Sequence, residues 1–312
     1  WFWEIDKVLL LLIATLIGIG LIAVAAASPA AGQRYSGGSG QFSGLDYFYP
    51  QIVWIAVGVP VMIGISMMPR DRAKRLSLAG AALFFVLLIF VPILGPEVNG
   101  ATRWIDIGVG QLQPSEFLKP FFVVAMAWLL SLREQDKSLP VFWLSAAVTG
   151  GVAFLLMRQP DFRAAIIFGC VWLSLLPLAG DSMRILLGLG AAGLVGVILA
   201  YFFYDVATAR IDGFLFGEGD NFQVENAMRT LTAGGMFGMG PGAGTRKFGL
   251  PEPHTDYIFS VIGEEFGLIA CLAIACLYLT IVARVLIKLL DEESTFAILA
   301  AAGLTIQFGL QA

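Results

Sequence analysis

Val8-Leu9-Leu10-Leu11-Leu12-Ile13-Ala14-Thr15-Leu16-Ile17-Gly18-Ile19-Gly20-Leu21-Ile22-Ala23-Val24-Ala25-Ala26-Ala27 runs for twenty residues without a charge. Twenty helical residues rise about 30 Å, the thickness of the hydrocarbon layer of a bilayer. The stretch reads as a membrane span, and the rest of the chain repeats the pattern. The same window finds spans near Tyr49 to Met68, Leu76 to Leu94, Glu116 to Leu132, Pro140 to Leu156, Ala164 to Leu178, Ile185 to Phe203, Tyr257 to Ile287 and Thr295 to Ala312. The eighth is long enough to be tilted or to run past the bilayer. The fold class expected is therefore an all-α, polytopic integral membrane protein with nine spans and a long outward loop, residues 204–256, between spans seven and eight.

Composition agrees. Of 312 residues, 58% are hydrophobic and 13% charged, and the mean hydropathy is +0.83, which leaves too little polar surface to cover a water-soluble globule. A net charge of -4 with dispersed basic residues gives no footprint for nucleic acid, and that class is excluded. Cys170, Cys271 and Cys276 lie inside apolar runs, so no disulfide framework is indicated.

Orientation follows from loop charge, because Lys and Arg are retained on the cytoplasmic side. The connection Pro69-Arg70-Asp71-Arg72-Ala73-Lys74-Arg75 carries four basic residues in seven and is expected inside. Alternation then puts the N-terminus and the 133–139, 179–184 and 284–294 turns inside as well. Segments 28–48, 95–115, 158–163 and 204–256 face outward. Nothing before the first span resembles a cleaved signal peptide, and the last span is still apolar at Ala312, so a cut C-terminus is expected.

Three outward segments are dense in Gly, Pro and charge, and this topology lets them converge on one outward-facing site. In the first, Pro114-Ser115 suits a helix start, and Glu116 and Lys119 share a helix face three residues apart. They read either as a local ion pair or as a cation held for an anionic headgroup. In the second, Arg158-Gln159-Pro160-Asp161-Phe162-Arg163, Asp161 suits a helix cap. The third runs from Arg210 past Gln223 to Gly234-Gly235-Met236-Phe237-Gly238-Met239-Gly240-Pro241-Gly242-Ala243-Gly244-Thr245-Arg246-Lys247. It lacks the Gly-Lys-Ser/Thr ending of a nucleotide loop, and its glycines are expected to pack beside a lipid-sized substrate. Leu250-Pro251-Glu252-Pro253-His254-Thr255-Asp256 follows, with Glu264 and Glu265 inside the next span. Acids at that depth must face protein or water and need partners. His254 is the only histidine, which argues against zinc. Asp256 stands at the outer mouth, where helix capping is the plain alternative to chemistry.

Asn99-Gly100-Ala101-Thr102-Arg103-Trp104, Gln113-Pro114-Ser115-Glu116-Phe117-Leu118-Lys119, Gln159-Pro160-Asp161, Gly234-Gly235-Met236-Phe237-Gly238-Met239-Gly240 and Leu250-Pro251-Glu252-Pro253-His254-Thr255-Asp256-Tyr257-Ile258-Phe259 occur in that order. In them the chain resembles the SEDS family of RodA-like and FtsW-like proteins. Ala27-Ser28-Pro29-Ala30 and Val98-Asn99-Gly100 look more like the FtsW branch. The resemblance implies a single ten-span domain of the bacterial inner membrane, at the division septum. The implied activity is that of a peptidoglycan glycosyltransferase polymerising lipid II into glycan strands. Implied partners are a class B penicillin-binding protein and other divisome membrane proteins.

The family's essential acid corresponds to Asp256. Glu116, Lys119, Arg210 and Lys247 match its cavity residues, and Arg103, Gln223, His254 and Thr255 in the same segments complete the expected substrate-binding set. The tenth span and the late Ser-Tyr-Gly-Gly-Ser motif of the family are missing. Gln111 stands where a basic residue is common, and Arg163-Ala164 where Gly-Thr is usual, so Arg163 is a candidate replacement cation. No cofactor is indicated. A divalent cation near the pyrophosphate is compatible with the chemistry, though no ligand cluster points to one. Two other functions fit an intramembrane acid pair or a bare scaffold: a lipid II flippase or proton-coupled transporter using Glu264 and Glu265, and a divisome scaffold without chemistry. A transporter should carry partnered charges in both halves of the membrane, and the cytoplasmic turns here are short and ordinary.

Overall fold

A computed structural model of the chain describes residues 5–35, 44–96, 102–106, 108, 111–203, 208, 212 and 222–312. Its helices are α1 (Lys7–Tyr35), α2 (Phe48–Ser66), α3 (Arg70–Leu94), α4 (Pro114–Gln135), α5 (Val141–Arg158), α6 (Phe162–Leu178), α7 (Met183–Phe203), α8 (Phe222–Ala233), α9 (Ile258–Leu289) and α10 (Thr295–Gln311). Every expected span is occupied by a helix. Seven of these helices are long and apolar enough to cross a membrane, while α6 and α10 are shorter apolar helices. Trp54, Ile93, Trp143 and Phe203 are each 69% or more exposed, a surface suited to lipid rather than water.

Several boundaries differ from expectation for physical reasons. Arg70–Arg75 is the start of α3 rather than a connection, since Arg and Lys are good helix formers and Asp71 in the first turn favours the positive helix end. Helix α1 continues through Pro29 to Tyr35, with Ala23, Ala27, Ser28, Ala30 and Ala31 forming a small, buried stripe that holds it against protein. Within 95–115, Ile105–Asp106 (β1) and Gln111–Leu112 (β2) pair antiparallel, Ile105 opposite Leu112. The expected 204–256 loop contains α8 and a 3₁₀ turn, Arg246–Gly249.

The chain divides into two compact units, Trp1–Met67 with Ala192–Ile281, and Met68–Ala191 with Val282–Ala312. The second has a core of Leu118, Phe122, Met126, Leu156, Phe168, Leu175 and neighbours. The rings of Phe122 and Phe168 meet edge to face at 4.9 Å. Gly303 on α10 lies so close to α4 that an added Cβ would stand 2.6 Å from the Val123 side chain. The first unit has smaller cores, around Ala23, Ile262, Cys271 and Ile274, and around Ala27, Leu250 and Val261.

The long eighth span is not one helix. Gly267, at φ 81° and ψ 177°, interrupts α9, a conformation that glycine adopts without a Cβ penalty.

Candidate functional site

In the first unit the site is built around that break. An unbroken helix would bond Leu268 N–H to Glu264 O and Ile269 N–H to Glu265 O. Instead, Leu268 donates to Gly235 O at 3.0 Å and Ile269 to Met236 O at 3.3 Å, while Met239 N–H reaches Glu264 O at 2.9 Å and Gly240 N–H reaches Glu265 O at 3.0 Å. Both bonds lost at the break are replaced at both ends, which buried or lipid-immersed backbone requires. The glycines make the approach possible. A Cβ at Gly238 would lie 2.1 Å from Glu265 O, and one at Gly267 would lie 2.4 Å from Gly238 N. Gly234 and Gly238 therefore pack against the protein's own backbone and Gly244 against the Glu264 side chain, which corrects for these three the expectation that the glycines pack beside substrate, while Gly235 and Gly242 have nothing within 4 Å of an added Cβ.

Both intramembrane acids find internal partners, although Glu265 Oε2 is buried without one among the described residues. Glu264, fully buried, accepts from the backbone N–H groups of Arg246 at 2.7 Å and Lys247 at 2.9 Å. Glu265 accepts from the Lys247 ammonium, which also donates to Ala26 O on α1 at 2.8 Å. Lys247 was expected to face substrate. It is instead 1% exposed, its charge neutralised inside the protein by Glu265.

From this platform the chain passes the buried Leu250 to the 252–257 turn. Thr255 donates its hydroxyl to Glu252 at 3.0 Å, and Tyr257 donates to the Gln223 side-chain carbonyl at 3.3 Å. The His254 ring packs against that of Tyr47 in a tilted arrangement, with centroids 4.1 Å apart. Burial lowers the His254 pKa below the ordinary value of 6.5, and the nearby Glu252 charge partly offsets this. Asp256 is exposed. Its carboxylate takes no hydrogen bond or ion pair among the described residues, and it caps no N–H of α9. Arg210 lies outside the described residues.

The second unit holds the remaining expected residues. Pro114 occupies the first turn of α4, which places Glu116 and Lys119 on one face, and Lys119 Nζ bonds both Glu116 oxygens at 2.7 Å. The Lys119 side chain is 5% exposed and that of Glu116 50%, so the carboxylate is the accessible end of the pair. Asp161 caps α6, accepting from Ala164 N–H at 3.2 Å, and also accepts from the Gln113 amide at 3.3 Å. Arg103 donates to Pro160 O at 2.6 Å and Gln159 O at 3.4 Å, tying the β-hairpin segment to the α5–α6 turn. Arg163 is exposed. Among the described residues no group of three or more His, Cys, Asp or Glu is placed to hold a metal ion.

Sequence reasoning missed Gly267 as a helix break. The signal was the span itself, too long for one crossing and interrupted by a glycine directly after Glu264-Glu265-Phe266.

Apolar helices, a broken span and backbone stitched by a glycine loop define a multi-pass, all-α membrane protein. Residues 7–312 match the FtsW/RodA/SpoVE family, described as "Cell cycle protein", and the chain belongs to that family. A relative from Caulobacter vibrioides is 34% identical over 317 residues, covering 100% of this chain and 79% of the relative. One from Alkalilimnicola ehrlichii is 33% identical, covering 99% and 79%. Both are named "Probable peptidoglycan glycosyltransferase FtsW". Among solved structures, a chain described under "Structural coordination of polymerization and crosslinking by a peptidoglycan synthase complex" superposes with TM-score 0.76 at 22% identity, covering 99% of this chain and 85% of that one. The rod shape determining protein RodA of Thermus thermophilus gives 0.68 at 23%, covering 99% and 83%. At those identities the likeness speaks for the fold.

Proposed function

We propose that this chain is a peptidoglycan glycosyltransferase that polymerises lipid II into glycan strands during cell division, with Asp256 as general base. The carrying observation is the contrast between Asp256 and the acids around it. Glu252, Glu264 and Glu265 each accept a hydrogen bond, while Asp256 alone in that stretch is exposed and unengaged among the described residues, on a segment anchored by a buried platform. A base must be accessible and unoccupied to take a proton. The names of the relatives support the same reading.

In this mechanism the acceptor sugar 4-hydroxyl gives its proton to Asp256 as its oxygen attacks the donor anomeric carbon, and the lipid pyrophosphate leaves with the bonding pair. Lys119 and Arg210 are the cations proposed to stabilise the leaving group. Lys119 is already neutralised by Glu116, so its help requires that pair to rearrange. Arg103, Gln223, His254 and Thr255 are proposed to shape the binding surface. The transport alternative drew on Glu264 and Glu265, and the internal partners of both acids favour the polymerase reading over it.

The proposal extends to context: one ten-span domain of the bacterial inner membrane, N-terminus cytoplasmic, at the septum with a class B penicillin-binding protein and other divisome proteins. The test is fluorescent lipid II supplied in nanodiscs to the purified protein carrying its tenth span, with and without that partner. Glycan ladders that require Asp256 are expected. Absence of polymer from a folded chain with its partner present would refute the activity.

A further inference from the structure

We propose that a cavity of about 270 Å³ between α8 and the Arg246–Gly249 turn binds a phosphate or pyrophosphate group of the kind carried by a lipid headgroup. It lies wholly in the first unit and is lined by Asn226, Arg229, Thr230, Thr245, Arg246 and Gly249. The polar side chains among these all donate hydrogen bonds, two are guanidinium forks, and none is a carboxylate. That set matches a tetrahedral anion, which offers only acceptor oxygens and accepts paired bonds from Arg.

Two further observations point to a ligand. Thr230, 1% exposed as a residue, lines the cavity, and its hydroxyl donates to no described residue. The Arg246 side chain is exposed and its guanidinium takes no hydrogen bond or ion pair among the described residues, although its own backbone N–H is fixed on Glu264 at 2.7 Å. The residue is thus held by its backbone while its head remains available.

Among the described residues, neighbouring acids leave this charge largely uncancelled. Glu264 is fully buried behind the turn, saturated by backbone N–H groups. Glu225 pairs with Arg229 at 2.5 Å one helical turn away, with both side chains about 60% exposed. Such an exposed pair contributes little and yields readily to a doubly charged anion. The proposal does not rest on Asp256 or on glycosyl transfer, since it concerns binding alone.

The experiment titrates inorganic pyrophosphate into the full chain in zwitterionic nanodiscs, followed by calorimetry. Binding is expected, weakened at least about tenfold by Arg246→Gln, as loss of a charge-assisted bond implies, and abolished in Arg229→Gln/Arg246→Gln. Thr230→Val should weaken it less, and Asp256→Asn should leave it unchanged. Arg246→Lys, which keeps the charge but removes the fork, covers the case in which the Gln variants do not fold, and should also bind more weakly than the wild type. No binding by the wild type, or binding that survives every Arg substitution, would overturn the proposal. Nanodiscs containing phosphatidylglycerol separate the sources. Competition with pyrophosphate identifies a phospholipid headgroup as occupant, and undiminished binding identifies a lipid-linked pyrophosphate.

Discussion

The ammonium of Lys247 donates to the carboxylate of Glu265 with neither side chain more than 1% exposed. The pair joins the 3₁₀ turn to α9 just before its break, and through Ala26 O it also fastens α1. Burying two charges is expensive, and removing one partner leaves the other without compensation. Glu265→Gln is therefore expected to lower stability by about 3 kcal/mol or more, read as a fall in melting temperature in detergent. The double change Lys247→Met/Glu265→Gln should recover part of it. A single variant as stable as the wild type would mean the pair is not formed.

The glycine stitch gives a sharper steric contrast. Gly235 and Gly238 both have positive φ, 59° and 82°. A Cβ at Gly235 meets nothing within 4 Å, whereas one at Gly238 would lie 2.1 Å from Glu265 O. Gly235→Ala should cost about 1 kcal/mol for its backbone conformation alone. Gly238→Ala should cost about 3 kcal/mol or more, because backbone must separate from backbone. Equal melting temperatures for the two would contradict the close approach.

What the sequence reveals and what it conceals follow from these same residues. Uncharged runs such as Val8 to Ala27 announce spans because length and apolarity are composition-level properties, and each expected window holds a helix. Asp161 as a cap and Glu116 with Lys119 as a pair are local, set by spacing of three residues, and were equally readable. The break at Gly267 was hidden because apolar composition continues on both sides of it. Gly234, Gly238 and Gly244 are opaque for a related reason: a glycine signals close approach without saying what approaches, and here it is α9. Lys247 reads from its loop position as a ligand-facing cation because burial, here 1% exposed, is a tertiary fact that a loop residue's sequence does not carry.

In the second unit, Lys119 presents a direct choice between anchoring and chemistry. A purely structural pair predicts that Lys119→Ala and Glu116→Ala lower stability alike and leave turnover per folded molecule intact. The proposed cation predicts that Lys119→Ala reduces lipid II polymerisation at least about tenfold at equal folded protein, the loss of one charge-assisted bond to the leaving group. Polymer yield normalised to the folded fraction separates the two.

His254 carries a pH signature. Its folded pKa is lowered by burial, so the folded state resists a proton that the unfolded state accepts below pH 6.5. The stabilisation is fully present above that pH and is lost progressively as the pH falls toward the lowered folded value. Melting temperature should decline on acidification through this window, and His254→Gln should flatten the decline. A wild-type curve unchanged by the substitution would assign the acid sensitivity elsewhere.

Asp256 offers the decisive substitution because its carboxylate has no partner to lose among the described residues. An acid that capped α9 would show an N–H of the first turn on its oxygens, as Asp161 does with Ala164 at 3.2 Å, and Asp256 shows none. Asp256→Asn removes the ability to take a proton while keeping size and polarity, and Asn serves helix ends about as well as Asp. The variant should insert, melt within a degree or so of the wild type, and still bind inorganic pyrophosphate. Its rate of glycan polymerisation should fall by about 10²- to 10⁴-fold, the range expected for loss of a positioned base. Measured as single-turnover consumption of fluorescent lipid II, that fall belongs to the chemical step, whereas a binding defect would vanish at saturating substrate. A near wild-type rate at saturation would remove Asp256 from the reaction, and the search for the base would then pass to the 252–255 segment beside it.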